Sequence, residues 1–137
     1  MIKFTLNGQE TEFTGDEKTS LLHFLREAKG ITSVKDGCSG QAACGACLVE
    51  LDGKPALACS TPLKRAVGKK IVTIEGFPEN VRRTLGRAFV AKGAVQCGYC
   101  IPGMVLRAHG LLLQIGDDGP LPYPRFADLM QSLFANG

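Results

Sequence analysis

The sequence predicts an α+β protein of two lobes, a β-grasp-like N-terminal lobe over residues 1–75 and a helical lobe over residues 76–137. Two observations predict it. Before residue 75 the apolar residues alternate with a period of two, and after Gly76-Phe77-Pro78 they recur with a period near 3.6. A cysteine-rich loop interrupts the first pattern, and a second cysteine pair lies inside the helical part.

The elements follow in order. Ile2, Phe4 and Leu6 alternate with Lys3 and Thr5, and Asn7-Gly8 is a hairpin turn leading into a second strand over Glu10 to Phe13. Thr19 or Ser20 caps a short helix with Leu21, Leu22, Leu25 and Ala28 on its apolar face and Gly30 at its end. Leu48-Val49-Glu50-Leu51 reads as a strand, Asp52-Gly53 as a turn, and a further strand runs toward Leu57 and Cys59. Ile71-Val72-Thr73-Ile74 is the last strand of this lobe. Beyond it, Val81, Leu85, Ala88 and Phe89 share one helical face. Met104, Val105, Ala108, Leu111, Leu112 and Ile115 share a second, and Phe126, Leu129, Met130, Leu133 and Phe134 a third. Gly116 to Tyr123 connects the last two. Neither lobe has a large core, so bound metal is expected to supply part of the folding energy.

Composition narrows the function. The chain has 137 residues, 45% of them hydrophobic, and a formal charge of +3 from 16 basic and 13 acidic side chains. So small an excess argues against a dedicated nucleic-acid binder. Lys64, Arg65, Lys69, Lys70, Arg82, Arg83 and Arg87 are grouped without interleaved aromatics and read as a solvated face or a rim against a partner protein. The stretch Ile101 to Ile115 is too short for a membrane span and is cut by Arg107 and His109, and the N-terminus lacks the pattern of a signal peptide. A cytoplasmic protein is expected.

The six cysteines are Cys38, Cys44, Cys47, Cys59, Cys97 and Cys100. In a reducing compartment such closely spaced thiols are metal ligands or redox catalysts more often than disulfides. Four thiolates at Cys38-x5-Cys44-x2-Cys47-x11-Cys59 suit a zinc ion or a [2Fe–2S] cluster, and spacing alone leaves both open. The small residues from Gly37 to Cys47 favour iron–sulfur, because a loop around a cluster aims backbone N–H groups at sulfur and bulky side chains obstruct that. Cys97-x2-Cys100 stands just before a helix with Pro102 in its first turn, where partial positive charge suits an anionic group. Two thiolates do not close a site, so this pair needs two further ligands. His23 and His109 lack metal-ligand spacing, and no hydrolytic triad, phosphate-cradling glycine motif or HExxH is present. The chain therefore has no self-contained catalytic centre.

Lys35-Asp36-Gly37-Cys38, Cys44-Gly45-Ala46-Cys47-Leu48-Val49, Asp52-Gly53-Lys54, Ala58-Cys59, Thr73-Ile74-Glu75-Gly76 and Gly93 to Met104 occur in that order. The set resembles the iron–sulfur subunit of the xanthine dehydrogenase / aldehyde oxidoreductase family of molybdenum hydroxylases, over essentially the whole chain. Within it the sequence is most similar to the selenium-dependent, purine-type branch. The resemblance implies a plant-ferredoxin-like lobe with one [2Fe–2S] cluster and a C-terminal α-helical bundle lobe with a second. It implies that Cys38, Cys44, Cys47 and Cys59 hold the outer cluster, that Cys97 and Cys100 are half of the inner one, and that Gln96 lies against molybdopterin. It further implies an electron-transfer role between a molybdopterin-binding large subunit, or fused domain, and an FAD-binding subunit. The substrate oxidised at molybdenum would be a purine, another N-heterocycle or an aldehyde. A stand-alone ferredoxin-like carrier and a zinc-stabilised interaction module are the alternatives. An oxidised cluster with four thiolates adds a charge of −2 and brings the chain close to neutrality, which suits a fixed component of a complex better than a diffusing carrier.

Two departures from the family pattern bear on the sites. Five residues, Ser39 to Ala43, separate the first two cysteines where the family usually has four, and a bulge is expected to absorb the extra one. The family also continues with an Asn-x-Cys-Arg-Cys-Thr-Gly-Tyr segment that completes the inner cluster, whereas the sequence stops at Phe134-Ala135-Asn136-Gly137. A sequence that continues beyond Gly137 is the expectation, ahead of a partner chain supplying ligands or a single-cluster subunit.

Overall fold

The computed structural model describes residues 1–114. Five strands form one mixed sheet: β1 (Ile2–Leu6), β2 (Gln9–Phe13), β3 (Leu48–Leu51), β4 (Lys54–Leu57) and β5 (Lys70–Val72). Their spatial order is β2-β1-β5-β3-β4, with β1 and β5 parallel and every other neighbouring pair antiparallel. Asn7 and Gly8 at the first hairpin, and Asp52 and Gly53 at the second, all have positive φ. That is the turn whose twist matches a two-residue hairpin, and it explains Asn-Gly and Asp-Gly at these places.

A short helix, α1 (Leu21–His23), is capped by Ser20, whose hydroxyl accepts from the His23 N–H at 3.2 Å. It continues into a π-helical turn, Phe24–Ala28. The wider turn departs from the 3.6-residue face expected here. Phe24 enters the core in place of Ala28, which is exposed, and its ring meets Phe4 and Phe13 edge-on at 5.5 and 5.4 Å. The last strand also ends earlier than the sequence suggests. Thr73 turns aside because its N–H donates to Asn7 Oδ1 at 2.9 Å, and Ile74–Gly76 forms a 3-10 turn.

Two apolar cores result, one on each side of β3. Cys47 and Val49 face the first, with Ile2, Phe4, Leu6, Leu21, Leu25, Leu63 and Ile71. Leu48 faces the second, with Phe77 and residues of two helices, α2 (Glu79–Ala91) and α3 (Ile101–Gln114). Leu85 and Phe89 fill it from α2, and Val105, Leu106 and Ala108 from α3. Leu106, fully buried, lies outside the face expected from the sequence, because α3 packs on both β3 and α2 and so buries a broad stripe. The expected helical face Phe126, Leu129, Met130, Leu133, Phe134, the loop before it and Ile115 lie outside the described residues. No helix among the described residues is long and apolar enough to cross a membrane.

One polar pair sits inside the second core. Glu50, buried on β3, lies 2.5 Å by Oε1 from His109 Nδ1 on α3, and the imidazole stacks on Phe77 with ring centroids 4.3 Å apart. Nothing in the sequence marks this pair, which joins residues 59 apart. His109→Ala would leave the Glu50 carboxylate buried without its partner, so it is expected to cost about 3 kcal/mol. The Glu50→Leu/His109→Leu double variant should recover most of that loss, since apolar groups replace both partners and leave neither unsatisfied. Denaturant-unfolding midpoints of the three proteins check it.

Candidate metal centre

The loop from Gly37 to Cys47 leaves the first core, turns through a run of left-handed residues and re-enters the core at Ala46 and Cys47. Ser39, Gly40 and Ala42 have positive φ, as has Gly45. A backbone that alternates hand in this way turns successive N–H groups toward one point, a concavity that suits an anion. Around Cys38 the Gln41 N–H closes the first of these turns on the Cys38 carbonyl at 3.2 Å. The backbone N–H groups of Ala43, Cys44 and Gln41, together with the Cys44 thiol, hold the Cys38 pKa down at about 7. Three left-handed residues, Ser39, Gly40 and Ala42, lie within the five-residue span between Cys38 and Cys44.

Cys44 lies beside Cys38, exposed, and its sulfur accepts from the Ala46 N–H at 3.4 Å. A Cβ on Gly37 would stand 3.0 Å from that sulfur, so a side chain there would crowd the thiol. Cys47 is buried at the start of β3, and Cys59, in the 3-10 turn Ala58–Ser60 after β4, is its neighbour. The Ala58 N–H donates to the Cys47 carbonyl at 3.1 Å, extending the β3–β4 ladder so that Ala58 stands opposite Cys47 and Cys59 follows it. Burial, and the Cys59 thiol next to it, push the Cys47 pKa up to about 11 against the N–H groups of Cys59 and Ala58.

The four thiols therefore stand as two pairs, Cys38 with Cys44 and Cys47 with Cys59. Among the described residues no three His, Cys, Asp or Glu side chains converge as they would around one ion. Two thiol pairs with inward N–H donors fit a two-iron cluster, each iron taking one pair, better than they fit a single tetrahedral ion. An all-thiol donor set, small flanking residues and N–H groups already directed at sulfur are what such a group requires.

Cys97 and Cys100 lie in the turn between α2 and α3, both exposed, with the Cys100 carbonyl accepting from Met104 N–H at 3.1 Å in the first turn of α3. The Gln96 side chain is exposed before them. The six cysteines are not brought into one site. They form two neighbouring groups, joined because α3 docks on the first loop. A Cβ on Gly103 would lie 2.7 Å from the Gly45 carbonyl oxygen, and one on Gly110 would lie 2.7 Å from Pro55 Cγ. Two glycines seven apart in one helix put two bare backbone patches on one face, and that spacing was the signal in the sequence for close docking. Tyr99, between the two cysteines of the second pair, also reaches the first loop. Its hydroxyl donates to the Asp36 carbonyl at 2.9 Å, and Lys35 Nζ sits over its ring, 5.8 Å from the centroid.

The mixed sheet, the cysteine loop and the docked helices define a class, the α+β proteins of the [2Fe–2S] ferredoxin-like fold. A family described as a 2Fe–2S iron–sulfur cluster binding domain matches residues 4–66, and a second [2Fe–2S] binding domain matches residues 73–125. The chain belongs to the xanthine dehydrogenase / aldehyde oxidoreductase family of molybdenum hydroxylases, in its iron–sulfur part. It is 43% identical over 112 residues to the nicotinate dehydrogenase small FeS subunit of Eubacterium barkeri, covering 81% of this chain and 71% of that one. It is 48% identical over 111 residues to the aldehyde oxidoreductase of Megalodesulfovibrio gigas, covering 79% of this chain but 12% of that longer protein. Among solved structures, quinoline 2-oxidoreductase from Pseudomonas putida 86 superposes with a TM-score of 0.80 at 31% identity, over 99% of this chain and 80% of that one.

Proposed function

We propose that this chain is the electron-transfer iron–sulfur subunit of a molybdopterin-dependent hydroxylase or dehydrogenase, whose substrate is an N-heterocycle, a purine or an aldehyde. The observation that carries this reading is the pairing of Cys38 with Cys44 and of Cys47 with Cys59 around inward-facing N–H groups, with a second cysteine pair docked beside them. When bound, a [2Fe–2S] cluster supplies reversible one-electron storage. Cys38, Cys44, Cys47 and Cys59 hold the outer cluster, and Cys97 and Cys100 contribute half the ligands of the inner one. Cys38 offers a thiolate near neutral pH, whereas Cys47 gives up its proton only as metal binds. The N–H groups of Gln41, Ala43, Cys44 and Ala46 favour the added negative charge of the reduced state.

Gln96, Cys97 and Cys100 are exposed, and a molybdopterin-binding large subunit or fused domain would approach there, with Gln96 against the pterin. An FAD-binding subunit would receive the electrons from the outer cluster. The expected lobes are residues 1–75 and 76–137, with α2 and α3 in the second. The expected compartment is the cytoplasm.

The test is iron and acid-labile sulfide per chain in the purified complex, with EPR after reduction by dithionite. About four irons, four sulfides and two distinct signals are expected. Two irons and one signal would overturn the inner site, and a colourless protein with stoichiometric zinc would overturn the whole reading.

A further inference from the structure

Tyr99 is nearly half exposed, at 47% of its surface, so core packing does not explain an aromatic residue there. Yet it is held on three sides by the loop of the other cysteine group. Its hydroxyl donates to the Asp36 carbonyl at 2.9 Å, a hydrogen bond spanning 63 residues. Its ring edge, at Cε1, is 3.5 Å from where a Gly37 Cβ would stand, the same point that lies 3.0 Å from Cys44 Sγ. The Lys35 ammonium covers the ring face at 5.8 Å, within the range of a cation–π contact. Lys35 is itself fixed, its N–H donating to the Ala46 carbonyl at 3.1 Å beside Cys47.

Resting on the two-site reading above, we propose that Tyr99 is a positioning residue that locks the Cys97–Cys100 turn onto the Gly37–Cys47 loop and so fixes the coupling between the two metal sites. A turn of exposed, mostly small residues has no packing of its own to hold it, and a two-ring-atom wobble would alter the gap that electrons cross. The phenol clamps it without occupying ligand space: the hydroxyl anchors to backbone, and the ring edge lies beside Gly37. Lys35 covers the other face of the clamp, over the ring.

The test uses the purified complex and two variants. Tyr99→Phe keeps the ring and loses only the hydroxyl, and Tyr99→Ala loses both. Hydrogen exchange of the amides at 36–37 and 98–100 is expected to quicken about fivefold in Tyr99→Phe, and more in Tyr99→Ala. The EPR splitting that arises from magnetic interaction between the two reduced centres should weaken in the same order, with iron per chain unchanged. Unchanged exchange and splitting in Tyr99→Ala would overturn the clamp while leaving the two-site reading intact. A wild-type complex that shows only one centre would overturn the two-site reading and the coupling role together, before any variant is made.

Discussion

Replacing Cys47 by serine is expected to halve the iron, from about four to about two atoms per chain, and to erase one of the two EPR signals. The effect should be larger than for a surface thiol because Cys47 serves two structures at once. Its sulfur stands beside Cys59 in the metal centre, and its side chain is 2% exposed among the residues of the first core. Serine there loses the thiolate and buries a hydroxyl, which costs a further 1–3 kcal/mol, roughly, if it finds no partner. The Cys97–Cys100 group lies outside that core, so the second signal should survive. Iron analysis and EPR of the variant complex check both halves of the expectation, and full retention of iron would remove Cys47 from the ligand set.

Gly103→Ala should be strongly damaging. The new Cβ would meet the Gly45 carbonyl oxygen at 2.7 Å, and that oxygen belongs to backbone that cannot rotate away. Either α3 lifts off the cysteine loop or the loop retreats toward the first core. A loss of about 1–3 kcal/mol is expected, with a shifted midpoint potential for the outer cluster, since the loop carries the N–H groups that face its sulfurs. Gly86→Ala in α2 is the internal control. A Cβ there meets nothing within 4 Å, so this variant should gain about 0.5–1 kcal/mol from helix propensity. Unfolding midpoints of opposite sign confirm that close docking, not loss of glycine as such, is what Gly103 protects.

Much of this architecture was legible because it is written in local rules. Asn7-Gly8 and Asp52-Gly53 announce hairpins since few other pairs accept positive φ, and the structure has both. The alternation of Ile2, Phe4 and Leu6 names the inward face of β1. The change of period after Pro78 marks the start of α2. What was not legible needs either an irregular turn or a partner far along the chain. Phe24 replaces Ala28 in the core because a π-helical turn breaks the assumed 3.6-residue spacing. Glu50 with His109, and Tyr99 with Asp36, are pairings that only the docking of α3 creates. Cysteine spacing announced four thiols as one group, but their division into two pairs needs the β3–β4 pairing, which sets Ala58 opposite Cys47, and the 3-10 turn after it, which places Cys59 beside Cys47.

The strand β3 has no outer side. Leu48 turns one way into the helices and Val49 the other way into the β-grasp core, although the two matched sequence domains meet only later, between residues 66 and 73. The boundary that sequence families draw is therefore not a seam along which the protein can be taken apart. A chimera joining the first domain of one relative to the second of another would inherit a strand shaped for helices it no longer has. Modularity here belongs to the pair of domains, and the pair travels as one.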